Sequence, residues 1–144
     1  MALIQVGDKP PLTVAPDDTV FHAARAMIDH AVGAATVVET GAVAGVITER
    51  DVLKKVVAAG LDPNVTRVRD VMTSPVFTVG VNTTVAAAAA LMRKHHFRHL
   101  VVVDEHEKLV GMLALRYLLY DLMDELERDV GDLTSHLLND GPGG

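Results

Sequence analysis

Cysteine is absent from this sequence, which removes disulfides, thiolate nucleophiles and Cys-ligated zinc together. Tryptophan is absent as well, and aromatics make up only 3% of residues, so a platform of stacked rings for bases or sugars is not expected. Positive charge is in the minority: 13 Lys and Arg stand against 19 Asp and Glu, a net charge of −6 that argues against a phosphate-backbone binder. The longest apolar run, Val85 to Met92, is far shorter than the roughly 20 residues that span a bilayer. The opening Met1 to Asp8 shows no charged segment followed by a long apolar stretch, so no signal peptide is read, and a soluble cytoplasmic protein without membrane contact is expected.

Catalytic signatures are missing too. No Gly-rich phosphate loop precedes a helix, and Thr48, Ser74 and Ser135 lack the context of a nucleophile elbow or triad. His95, His96 and His99 fall across an expected helix-to-strand break where helical ligand spacing does not apply, and no carboxylate completes the set. They read as surface histidines. No metal site and no enzyme are expected.

What the sequence does hold is a repeat. The chain has 144 residues, 49% of them apolar, enough for one compact domain or for two small halves sharing a core. Shifted by 65 positions, Pro10 to Val14 falls on Pro75 to Val79, Thr19-Val20 on Thr84-Val85, and Ala23-Ala24 on Ala88-Ala89. Met27 then meets Met92 and His30 meets His95. With one residue inserted in the second copy, Gly45 meets Gly111, Arg50 meets Arg116 and Leu53 meets Leu119.

Both copies share one pattern. A short extended segment follows Pro10 and Pro75, and the cap-type residues Asp18 and Thr83 precede a helical stripe. That stripe is Val20, Ala23, Ala24, Met27 and Ala31 in the first copy, and Val85, Ala88, Ala89 and Met92 in the second. Two β-branched runs follow, Ala35–Val38 and Val43–Thr48, with counterparts at Leu100–Val103 and Leu109–Leu113. A second helix begins at Glu49, with Gly60 as its stop, and at Arg116 in the other copy. The expected fold is α+β, mixed α/β: two β-α-β-β-α units related by a pseudo-twofold axis. Repeat 1 is expected over 3–60, a linker over 61–67, repeat 2 over 68–123, and a helical extension with a loose tail over 124–144. Units of about 60 residues are marginal alone, and two packed together would leave a cleft between them.

The run Gly45-Val46-Ile47-Thr48-Glu49-Arg50-Asp51 resembles the signature of the CBS domain, and Phe97 to Asp104 resembles the family's basic pair opening an inner strand. Taken with the duplication, the chain resembles a CBS-domain pair, or Bateman module, of the stand-alone type. The resemblance implies a regulatory module without catalysis that binds AMP, ADP, ATP or a related adenosyl compound and requires no cofactor. It implies that Asp51 takes the ribose with help from Thr48. Val76 and Phe77 would line the base pocket with Val46 nearby, and Arg98, His99 and Arg116 would face the phosphate. Independently of the family, a carboxylate can accept from both hydroxyls of a cis-diol, and guanidinium donors suit a phosphate.

The copies differ where this chemistry would sit. In the second, the hydroxyl residue has become Ala114 and the aspartate Tyr117, while the first copy holds Gly33 and Ala34 in place of Arg98 and His99. The polar groups that remain belong to one site per chain. Two plainer readings stay open: Asp51 as a favourable charge at a helix start, and Arg98 and His99 as solvated edge residues.

Beyond the second repeat, Leu115, Leu118, Leu119, Leu122, Met123, Leu126 and Val130 form a stripe that Leu133, Leu137 and Leu138 could continue. It is expected to meet a partner helix in a homodimer, the alternative being that it folds back on its own core. A function from a different class also remains: a ligand-free structural or interaction module that grips an unidentified target protein through its dimer face or C-terminal helix.

Overall fold

The computed structural model describes residues 3–5 and 10–139. The expected tail, Gly141 to Gly144, and the side chain of Leu138 lie outside what it describes. The first repeat runs β1 (Thr13–Val14), α1 (Val20–Asp29), β2 (Ala34–Glu39), β3 (Ala42–Thr48) and α2 (Glu49–Val52). After a short α3 (Val68–Val71), the second runs β4 (Thr78–Gly80), α4 (Val85–His95), β5 (His99–Val103), β6 (Leu109–Ala114) and α5 (Leu115–Asn139). Each repeat builds a three-stranded sheet with a parallel first pair and an antiparallel second pair. The registers match: Val14 pairs with Val37 as Val79 pairs with Val102, and Ala34 opposes Thr48 as His99 opposes Ala114.

Period-two alternation of side chains divides the apolar residues among three clusters. From β2, Ala35 and Val37 enter a core with Val20, Ala23 and Met27 of α1. From β5, Leu100 and Val102 enter an equivalent core with Val85, Ala88 and Met92 of α4. Residues in the alternate phase of the same strands, Ala34 and Val101, meet Val46 in a third cluster where the two sheets face each other.

The lead-in segments are exchanged. Ile4, ahead of the first repeat, packs into the second core, and its N–H donates to the Thr83 carbonyl at 2.9 Å. Val68 and Val71, ahead of the second repeat, pack into the first core, and the Val68 N–H donates to the Asp18 carbonyl at 2.9 Å. Arg69 fastens this crossing to the loop before α1 with a hydrogen bond of 2.6 Å to Asp17. The chain then runs over Gly45, where an added Cβ would stand 2.7 Å from Met72 Sδ and 2.9 Å from the Thr73 carbonyl. Only glycine leaves room for that passage.

Several local expectations need correction. The caps are Thr19 and Thr84, whose hydroxyls accept from the N–H groups of His22 and Ala87 at 3.1 Å. Asp18 instead accepts from the Ala15 N–H at 2.8 Å, closing the turn one residue earlier. Ala31 is exposed and left-handed (φ 54°), so it ends α1 rather than extending its stripe; His96 ends α4 in the same way (φ 59°). The helix that opens as α2 widens into a π-helical stretch over Leu53–Val57 before Gly60 stops the segment with φ 72°. Among the described residues no helix is long and apolar enough to cross a membrane.

A candidate ligand-binding cleft between the repeats

The end of β3, the start of α2, the crossing segment and the start of β5 enclose a cavity of about 230 Å³. Val46, Thr48 and Asp51 line one wall, with Val76, Phe77, Arg98 and His99 on the other. Seven of the eight expected site residues therefore meet in one cavity. Arg116 is outside its lining: its guanidinium turns to Tyr117, with one nitrogen 3.4 Å from the phenol oxygen and the carbon 4.9 Å from the ring centroid.

Asp51 is placed by local chemistry. Thr48 caps α2 by accepting from the Asp51 N–H at 3.1 Å, and Asp51 Oδ2 accepts from the Thr48 N–H at 3.0 Å. This reciprocal pairing fixes a carboxylate that is only 6% exposed at the cavity wall. Lys55, one turn on, sits 3.1 Å from Asp51 Oδ1 and donates to the Val71 carbonyl at 3.0 Å. Thr73 donates to the carboxylate from above, 3.2 Å from Oδ1 and 3.3 Å from Oδ2. The capping reading of Asp51 is thus correct as geometry, and it also orients the group toward the cavity.

The opposite wall is aromatic and basic. Phe77, half exposed, lies 4.5 Å from the His95 ring and 5.0 Å from the Phe97 ring, while His95 and Phe97 stack at 5.5 Å. His95 is therefore half-buried among rings rather than a surface histidine. Arg98 is exposed at the mouth. Burial pushes the His99 imidazole below its ordinary pKa; Glu49 and Asp51 pull it up, and Arg98 and Arg116 push it further down. Arg116 is thus close enough to act on the cavity's charge without lining it.

Sequence reasoning missed Glu49, Arg50, Thr73, Pro75, His96, Phe97 and Val101 in the lining. Thr73 could not have been found, because nothing local says that the crossing segment pairs with Val46 (2.8 and 3.0 Å) across the first repeat. Phe97 had a signal: in a chain with three phenylalanines, one stands directly before Arg98. At the pseudo-symmetric position stand Ala114, Tyr117, Gly33 and Ala34, with Tyr117 exposed and edge-on to Tyr120 at 6.3 Å.

Fold and cleft together define a class: a duplicated α/β protein whose two halves share an inter-sheet core and hold one polar cavity between them. The chain belongs to the CBS domain family, which matches residues 4–58 and again 68–124. It is a CBS-domain pair. A mitochondrial CBS domain-containing protein of Arabidopsis thaliana is 37% identical over 121 residues, covering 78% of this chain and 58% of that protein. The CBS domain-containing protein YhcV of Bacillus subtilis is 39% identical over 103 residues, 72% of each chain. The chain thus spans somewhat over half the length of the plant relative. Among solved structures, a protein with CBS domains from Burkholderia ambifaria superposes with a TM-score of 0.75 at 34% identity, covering 81% of this chain and 89% of that one. A CBS domain protein of Pyrobaculum aerophilum, solved in complex with AMP, gives a TM-score of 0.70 at 30% identity, covering 81% and 94%.

Proposed function

We propose that this chain is a regulatory sensor without catalytic activity that binds one adenosine-type ligand, AMP foremost, in the cleft between its repeats. The observation that carries the reading is the convergence of a buried, oriented carboxylate (Asp51), an aromatic wall (Phe77) and a basic mouth (Arg98, His99) on one cavity. The AMP complex of the Pyrobaculum aerophilum relative supports the ligand class.

The parts divide as the chemistry asks. A carboxylate has about four lone-pair sites, and Lys55 and the Thr48 N–H hold one on each oxygen. The Thr73 hydroxyl, straddling both oxygens, can turn aside so that a ribose diol donates to the two that remain. Val46, Val76 and Phe77 offer apolar contact to a purine. The cavity is smaller than ligand sites commonly are, about 300–1,000 Å³, so it has room for the nucleoside and leaves the phosphate at the mouth beside Arg98 and His99.

A panel of adenosine, AMP, ADP, ATP and S-adenosylmethionine in thermal unfolding tests this, because a ligand that binds only the folded state raises the melting temperature. AMP should raise it most. A flat response to all five would instead favour a ligand-free interaction module. The reading also includes a homodimer that passes the ligand state on to a target protein.

A further inference from the structure

Of the groups that hold the Asp51 carboxylate, two are fixed and one is free to leave. The Thr48 N–H belongs to the backbone where α2 opens and stays on Oδ2 at 3.0 Å. Lys55 Nζ stays on Oδ1 at 3.1 Å because it is fastened a second time, at 3.0 Å, to the Val71 carbonyl. The Thr73 hydroxyl is held differently. Its single proton is shared between Oδ1 at 3.2 Å and Oδ2 at 3.3 Å, the longest contacts that the carboxylate makes. Thr73 is exposed, and its backbone N–H and carbonyl are held separately by Val46 at 2.8 and 3.0 Å. Rotation about one side-chain bond therefore carries the hydroxyl off the carboxylate and into water, where it stays hydrogen-bonded.

We infer that Thr73 is an intramolecular competitor for the ribose: its hydroxyl covers the acceptor sites that the ribose diol needs, and so sets the ligand concentration at which the cleft fills. The inference rests on the function proposed above, with Asp51 taking the diol. A carboxylate offers about four lone-pair sites, and with Thr48 and Lys55 in place one remains on each oxygen. A single shared O–H covers that pair, whereas a cis-diol brings two separate O–H donors and wins the exchange. Apparent affinity is lowered by the fraction of molecules in which the carboxylate is covered. A ligand that donates nothing to Asp51 leaves Thr73 where it is and is not affected by it.

Titration calorimetry with AMP and 2′,3′-dideoxy-AMP on wild type, Thr73→Val and Thr73→Ser tests the competition. Valine keeps the branched shape and the backbone bonds to Val46 but has no hydroxyl. AMP should therefore bind Thr73→Val roughly threefold to tenfold more tightly, the worth of one ordinary hydrogen bond. The dideoxy ligand, which has no diol, should bind Thr73→Val and wild type alike, and Thr73→Ser, which keeps the hydroxyl, should bind AMP as wild type does. A change in packing alone would move both ligands together, so the contrast between them reads the competition. Thr73→Ala also lacks the hydroxyl and should tighten AMP in the same way, which separates the hydroxyl from the fit of valine; a melting transition shows that each variant is folded. AMP that binds Thr73→Val and Thr73→Ala no more tightly than wild type, or a gain that the dideoxy ligand shares, would overturn the inference and leave the proposed function standing. So would weaker AMP binding, because the hydroxyl would then be a contact to the ligand. AMP that binds none of these proteins would overturn both.

Discussion

The Thr73 hydroxyl sits 3.2 and 3.3 Å from the two oxygens of Asp51, although the two residues belong to different segments of the chain. Thr73 lies on the crossing between repeats, held by paired hydrogen bonds to Val46, whereas Asp51 opens α2 of the first repeat. The contact places the connection between the halves directly over the carboxylate proposed to take the ribose. Ligand entry would therefore displace a group that also ties the crossing down, which offers a physical route from binding to a change in how the repeats sit together.

Gly45→Ala tests the crossing from a position outside the cleft lining. The new Cβ would meet the Met72 sulfur at 2.7 Å and the Thr73 carbonyl at 2.9 Å, and the second of these is backbone that cannot swing aside. Chemical denaturation should show a loss of about 1–3 kcal/mol, the cost of overpacking a closed site. A variant as stable as wild type would mean that the crossing is looser than its hydrogen bonds to Val46 imply.

Arg98→Ala separates the phosphate from the nucleoside. Bonds to charged groups contribute about 1.5–3 kcal/mol, so AMP should bind roughly tenfold to a hundredfold more weakly while adenosine stays within about twofold. Titration calorimetry with both ligands provides the comparison. Equal losses for the two would move Arg98 away from the phosphate.

His99 makes stability and binding depend on pH in opposite senses. Burial holds its folded pKa below the ordinary 6.5, so below that value the unfolded chain takes up a proton that the folded chain refuses. Stability should be flat in this group above 6.5 and should fall as pH drops below it. A phosphate beside the ring favours the protonated form, so AMP affinity should rise as pH is lowered from 8 toward 6, more steeply than that of His99→Gln. The comparison with His99→Gln removes the ligand's own phosphate titration near pH 6. Identical slopes for the two proteins would remove His99 from the phosphate's surroundings.

Much of this architecture is legible in the sequence because the duplication states each pattern twice. The stripes of α1 and α4 and the runs of β2, β3, β5 and β6 carry their own periodicity, and their edges shifted by only a residue or so: Ala34 and His99 join strands that the apolar runs alone begin one residue later. What stays illegible depends on distant contacts. Nothing near Ile4 or Val68 announces that each packs on the other repeat, and nothing near Thr73 announces that its hydroxyl reaches Asp51. The C-terminal stripe reads as one face in the sequence because Leu118 and Leu119, like Leu122 and Met123, are neighbours on adjoining arcs of one helix. Packing separates Leu118 and Leu122, which go inward, from Leu119 and Met123, which stay out.

The most direct test of the account is AMP calorimetry on Asp51→Ala beside Tyr117→Ala, the equivalent position in the other half. Asp51→Ala also removes the carboxylate half of the reciprocal pairing with Thr48 that opens α2, so its melting transition is measured first to show that the protein at the assay temperature is folded. The account predicts that folded Asp51→Ala loses about 1.5–3 kcal/mol of AMP binding, the value of hydrogen bonds to a charged group, while Tyr117→Ala binds as wild type. Wild-type affinity in Asp51→Ala together with a loss in Tyr117→Ala would contradict it, and would put the ligand in the other half of the molecule.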